Sequence, residues 1–339
     1  MKFGLERRSK KSEAEGARKA KFEKPLTYLL SGMMLVGGAH GASKMAEKQA
    51  EAQREKQRKE LVQRHEREMR ARESDRERME ALAKGPNPIY EQLSFDKEKT
   101  EITAETIRMA ADYWHARNLV GDHEKQFSDA IDRLERHWGE VSSAFSGVGM
   151  PNELALVAVQ ESYVTEDVKD GPFQLTPDNA RRFHVGNVHD IGDSARGAAH
   201  LYTAITKEMR NRGVEDPAFA VLAYNGSFAV SFLREWKETH PGVQPTINDF
   251  CHHISAKVDR IRKETRAKFG DGERGEKEFD KAVNGIRINT NYLAKFEGTL
   301  RTVKSMQDDN RIHVTMVGHS DPSTLVAQGE KADHDRSDG

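Results

Sequence analysis

Between residues 103 and 265 the apolar residues return every three or four positions, and no stretch convincingly alternates apolar with polar. Such a pattern buries a stripe along a helix rather than one face of a strand, so this part must fold as packed helices, and the fold class expected is mainly α. Thr103 followed by Glu105 and Thr106 opens a helix carrying Ile107, Ala110, Ala111 and Trp114. A second is expected over 124–145 with Phe127, Ile131, Leu134 and Trp138. Pro151 starts a third that reaches Glu161, and Thr176-Pro177 is a cap and first-turn signal for a fourth. Further helices are expected from Asp193 or Ser194 to near Gly213, from Asp216-Pro217 through Tyr224, from Ser227 with Phe228, Phe232, Leu233 and Trp236, and from Ile247 to Phe269, stopped by Gly270.

The flanks differ. The chain is 36% hydrophobic and 32% charged, the balance of an ordinary domain diluted by polar segments. Residues 1–24 form a basic leader with nine Lys/Arg against four Glu. Residues 25–43 are apolar and then rich in Gly and Ala. This is either a transmembrane anchor near the lower limit of length or a signal peptide. Both readings send the remainder out of the cytoplasm, and the basic leader agrees with that orientation. Residues 44–86 consist mostly of Glu, Lys, Arg, Gln and Ala with recurring i, i+4 pairs and no sustained apolar heptad, which is a charged helical or disordered stalk rather than a coiled coil. Residues 87–270 hold the helical domain. Residues 271–327 are polar and poorly defined, with one alternating run over 311–317 that reads as a short strand, and 328–339 read as a disordered tail.

Formal net charge is -1, which gives no argument for a nucleic-acid partner. Cys251 is the single cysteine, so no intrachain disulfide forms. His184, His189, His200, His252 and His253 lack ligand spacing, and neither a metal nor another cofactor is expected.

The chemistry-bearing residue is Glu161. Leu154, Val157, Ala158 and Glu161 fall at i, i+3, i+4, i+7, so the carboxyl shares a helix face with apolar side chains. A carboxyl held against apolar groups loses solvation when it ionises, and its pKa rises. A carboxylic acid still protonated near neutrality is what a general acid must be.

Three runs in one order carry a resemblance: PNELALVAVQES ending in Glu161-Ser162, GPFQLTP with Gln174, and Ala223-Tyr224-Asn225. On these the stretch from Gly149 to Glu238 resembles the lytic transglycosylases of the soluble-lytic-transglycosylase, goose-lysozyme-like family, most of all their membrane-bound D-type branch. The resemblance implies a lysozyme-like helical domain that cleaves peptidoglycan glycan strands between N-acetylmuramic acid and N-acetylglucosamine. Glu161 would act as acid and then as base, giving a 1,6-anhydro product without a second carboxylate. It also implies a domain in the periplasm or facing the cell wall, tethered to the inner membrane through residues 25–43, with cell-envelope machinery as a further partner. Ser162 would bond Glu161 or the substrate's N-acetyl group, or only cap locally. Gln174 would offer donor and acceptor to a sugar. Tyr224 would hold Glu161 through its hydroxyl or serve as a core aromatic, and Asn225 would bind saccharide or end its helix. The chain departs from the family in a shorter loop after Ser162, without its Gly-Ala pair, and in the Gly226-Ser227 that directly follows Asn225. A lysozyme-type hydrolase would need a second carboxylate from Glu166, Asp167 or Asp170. A non-catalytic wall-binding or assembly protein on the same fold is the third alternative.

Overall fold

The computed structural model describes residues 40–165, 167–312 and 316. It is mainly helical, with no strand among the described residues. Contacts divide the chain into a unit that ends at Arg72 and one that begins at Glu73.

The first helix, α1 (His40–Lys84), runs through the expected stalk. Over 51–72 every residue is exposed, Leu61, Val62 and Met69 included. What supports it there is local: strong helix formers and i, i+4 pairs such as Lys59 with Glu55 at 2.7 Å and Arg64 with Glu68 at 3.0 Å. The anchor expected over 25–43 lies outside the described residues as far as residue 39. Among the described residues no helix is long and apolar enough to cross a membrane.

The second unit contains α2 (Pro88–Gln92), α3 (Ala104–Val120), α4 (Glu124–Arg136), α5 (Trp138–Gly147), a 3-10 turn (Asn152–Leu156), α6 (Val157–Ser162), α7 (Pro177–Arg182), α8 (Ile191–Asn211), α9 (Pro217–Asn225), α10 (Ser227–Thr239), α11 (Ile247–Phe269) and α12 (Glu273–Asp308). Local signals set most of the starts. Thr103 and Thr106 form a reciprocal capping box for α3, and Thr246 with Asp249 does the same for α11. Thr176 caps α7 ahead of Pro177. Three boundaries differ from the sequence expectation. The helix over 124–145 is broken at His137 into α4 and α5, with Trp138 starting the second piece. The helix expected from Asp193 or Ser194 begins at Ile191, because the Asp190 carboxylate accepts the Asp193 amide and caps it three residues earlier. The run from Pro151 is a 3-10 turn before it becomes α6, so Leu154 is not in the helix that carries Glu161.

The largest correction concerns the segment after Gly270. It is not poorly defined: α12 is a 36-residue helix that packs most extensively on α3 and also meets α2, α6, α9, α10 and α11. Phe279, Ile286, Leu293 and Leu300 recur every seven residues along it and are buried. Several of its polar residues are buried as well, and most of these find partners. Asn291 accepts from the Trp114 indole at 2.9 Å and from Asn87 at 2.9 Å. Thr302 meets His115 at 3.0 Å. The fully buried Glu297 takes a hydrogen bond from Arg301, which also reaches Asp112 on α3. Helix α12 also passes α3 so closely that a Cβ on Gly298 would stand 2.7 Å from the Ala111 carbonyl and the Trp114 Cβ. Only glycine admits that approach. The strand expected over 311–317 rests mainly on positions outside the described residues. Ile312 and Met316 are buried without strand geometry.

Candidate functional site

Glu161 lies in the last turn of α6, a short helix whose other side chains are almost all buried. The chain then leaves through two left-handed residues, Tyr163 at φ 52° and Val164 at φ 56°. Non-glycine residues enter this region only when their surroundings hold them there. Here the Tyr163 amide bonds the Val159 carbonyl, the Val164 amide bonds the Ala158 carbonyl, and Arg133 donates to the Tyr163 carbonyl at 2.7 Å.

The carboxyl is half-buried. Tyr292 of α12 donates to its Oε1 at 2.6 Å, and Oε2 takes no hydrogen bond from a described residue. Burial raises the pKa of Glu161, while the Tyr292 hydroxyl and the Lys295 ammonium oppose the rise. The direction is the one expected from the sequence, and burial is the dominant cause. Around Glu161 stand Tyr202 on α8, Tyr224 on α9 and Tyr292, three hydroxyls pushed well above the usual phenol value by burial and by the nearby carboxyl. They therefore remain neutral donors. The Tyr202 hydroxyl is buried and has no partner among the described residues.

The four residues grouped with Glu161 from the sequence lie on the elements that frame it, but two of the roles expected for them change. Tyr224 does not hold Glu161. Its hydroxyl donates to the Phe173 carbonyl at 2.7 Å, and its ring stacks on Tyr202 with centroids 4.6 Å apart. It ties α9 to the GPFQ turn. Ser162 does not bond Glu161 either: its hydroxyl donates to the Pro172 carbonyl at 2.7 Å, with the Ala158 carbonyl at 3.1 Å as a second acceptor, and it receives the Thr165 amide. It is a buried brace between α6 and the same turn. Gly171 begins that turn at φ 72°, where a Cβ would stand 1.8 Å from the Val188 carbonyl oxygen, so no other residue fits. Gln174, half-buried at φ 49°, donates to the Gly171 carbonyl at 2.8 Å, and its side-chain carbonyl takes no hydrogen bond from a described residue. Asn225 ends α9 and accepts from Asn289 of α12 at 3.5 Å.

The sequence reading missed Tyr292, Lys295 and Asn289, all on α12. Their signal was the seven-residue recurrence of Phe279, Ile286, Leu293 and Leu300, hidden by the Asn, Thr, Lys and Glu between them. As for second carboxylates, Asp167 is exposed, Asp170 is half-buried, and Glu166 lies outside the described residues. Neither aspartate is among the groups that shift Glu161. The Cys251 thiol is buried and pushed up to about 12, so it is no nucleophile. Among the described residues no group of three or more His, Cys, Asp or Glu side chains is placed to hold a metal ion.

The helix that carries Tyr224 starts at Asp216, whose carboxylate accepts the Ala218 amide at 2.9 Å. Burial raises this carboxyl from 3.8 to about 6. The folded value lies above the unfolded one, so the folded state holds the proton more tightly, and this contribution to stability is present below about pH 4 and lost as pH climbs through about 6. Asp216→Asn keeps the capping acceptor and removes the charge. It is expected to stabilise the fold near pH 7 by about 1 kcal/mol, less than the raised value alone implies because the helix N-terminus favours the carboxylate. Urea denaturation should show the gain at pH 7 and its disappearance near pH 4.

Comparison with family models, with curated proteins and with solved structures gives no match to this chain.

Proposed function

We propose that this protein is a peptidoglycan lytic transglycosylase with Glu161 as its single general acid and base. The observation that carries the reading is the setting of that carboxyl: half-buried, raised by burial, and bonded on Oε1 by a neutral tyrosine, which leaves Oε2 to carry the transferable proton. The order of the Glu161-Ser162, Gly171–Gln174 and Ala223–Asn225 runs supports the substrate class, and their shared framing of one site through Ser162 and Tyr224 is consistent with it.

In this reading Glu161 protonates the oxygen that links muramic acid C1 to the following N-acetylglucosamine. The C1–O bond breaks, and the substrate's N-acetyl group steadies the cationic centre. Glu161, now a carboxylate, takes the proton of the muramic acid C6 hydroxyl. The C6 oxygen closes on C1 and gives a 1,6-anhydro end, with no water consumed and the acid restored. Tyr292 holds the carboxyl in place through both steps, while Gln174 and Asn225 lie at the edges of the site as groups able to meet saccharide. Residues 25–43 would tether the domain at the inner membrane, facing the wall.

Digestion of purified sacculi by the full chain, followed by mass analysis of the products, tests the reading. Muropeptides with 1,6-anhydromuramic ends are the expected result. Reducing ends alone would make the protein a hydrolase of the lysozyme type. Retention on sacculi without any product would make it a wall-binding protein.

A further inference from the structure

Lys295 lies one turn beyond Tyr292 on α12, on the same face at i+3. Its ammonium donates to the carbonyl of Gln160, the residue directly before Glu161, at 2.8 Å. It stands 5.5 Å from the centre of the Trp114 ring and 5.8 Å from that of Tyr163. Both rings are themselves fixed. The Trp114 indole bonds Asn291, and the Tyr163 hydroxyl meets His123 at 3.0 Å. The lysine is therefore held by a carbonyl and two aromatic faces, and no carboxylate lies within ion-pair distance of it among the described residues. Burial lowers its pKa, and Glu161 is the group that opposes this. A methionine would pack between two rings with no desolvation cost, so packing alone gives no reason for a charge here.

We propose that Lys295 is a positioning residue for Glu161: its ammonium, fixed on the Gln160 carbonyl between the Trp114 and Tyr163 rings, stabilises the carboxylate that Glu161 becomes once it has given up its proton. The role deepens the transglycosylase reading and rests on it for its catalytic consequence. A single residue that serves as acid and then as base must exist in both forms during one turnover. Burial favours the acid, while the Tyr292 hydrogen bond and the Lys295 charge favour the base. Two other cations on the elements around this pair are engaged elsewhere. Arg133 of α4 donates to the Tyr163 carbonyl, and Arg117 of α3 is paired with Asp122. The bond to the Gln160 carbonyl sets the Lys295 ammonium beside the residue that carries the carboxyl.

The test reads Glu161 directly, with carbon-13 carboxyl NMR on the full chain and Glu161→Gln to assign the resonance. Lys295→Gln keeps a donor for the Gln160 carbonyl and removes the charge. Lys295→Met removes both, and Lys295→Arg keeps the charge. The titration midpoint of Glu161 is expected to rise in the first two and to return toward wild type in the third. In sacculus digestion the two uncharged variants should lose on the order of tenfold in kcat with KM little changed. A Glu161 titration that is the same in wild type and Lys295→Gln overturns the proposal. So does a Lys295→Arg variant that shifts as far as Lys295→Gln. If the midpoint moves as expected while wild type yields no 1,6-anhydro ends, Lys295 keeps its place beside Glu161 and it is the transglycosylase reading that fails.

Discussion

Glu161→Gln should slow sacculus turnover by roughly 10² to 10⁴-fold, the usual cost of removing a general acid, with KM close to wild type. The substitution preserves the shape of the side chain and an acceptor for the Tyr292 hydroxyl, so the site should stay assembled. Stability provides the internal control. Burial raises the Glu161 pKa in the folded state, so its ionisation opposes folding above the unfolded value of 4.5. A neutral amide escapes that cost. The variant should therefore be as stable as wild type, or more so, at neutral pH. An inactive and stable protein separates lost chemistry from lost structure, whereas a fully active variant would remove Glu161 from the mechanism. The pH profile of wild type adds a direction: activity should decline as pH rises through the raised value of Glu161, because only the protonated form donates.

A chain that ends at Gly270 should not fold. Helix α12 contributes Phe279, Val283, Ile286, Tyr292, Leu293, Phe296, Leu300, Val303 and Met306 to the core, all buried. Burial of each large apolar side chain stabilises by about 1.5–3 kcal/mol, and domains of this kind are stable by only about 5–15 kcal/mol in total. Removing α12 also strands the groups it satisfies, among them the Trp114 indole and the Leu222 carbonyl. Circular dichroism and urea denaturation of residues 73–270 against the full chain check this. Cooperative unfolding of the short fragment would show that α12 is an accessory rather than the centre of the core. Within the full chain, Phe296→Ala should cost about 3–5 kcal/mol, as for other fully buried phenylalanines.

Both experiments turn on what a linear reading can and cannot see. The capping residues Thr103, Thr176 and Asp216 were legible because a cap acts on amides two or three residues away. The raised pKa of Glu161 was legible in direction, although the spacing argument ran through Leu154, which lies outside α6. Tyr224 and Ser162 were found, but their partners were not, since the carbonyls of Phe173 and Pro172 come near them only when the GPFQ turn is folded back on Gly171. Asn289, Asn291 and Thr302 made α12 look solvated. Buried polar residues are tolerated when they are paired, and their pairs lie on other helices.

The sequence by itself determined a mainly helical chain, where most of its helices begin, and a carboxyl at the end of one of them with a raised pKa. Propensity, caps and apolar spacing act within a turn or two of helix, so they can be read in order along the chain. The tertiary structure alone decided that α12 fills the centre and that Tyr292, 131 residues from Glu161, is the group that bonds it. Contacts across such a separation come from helix packing, here the close passage of α12 over α3 at Gly298, and no local preference encodes them.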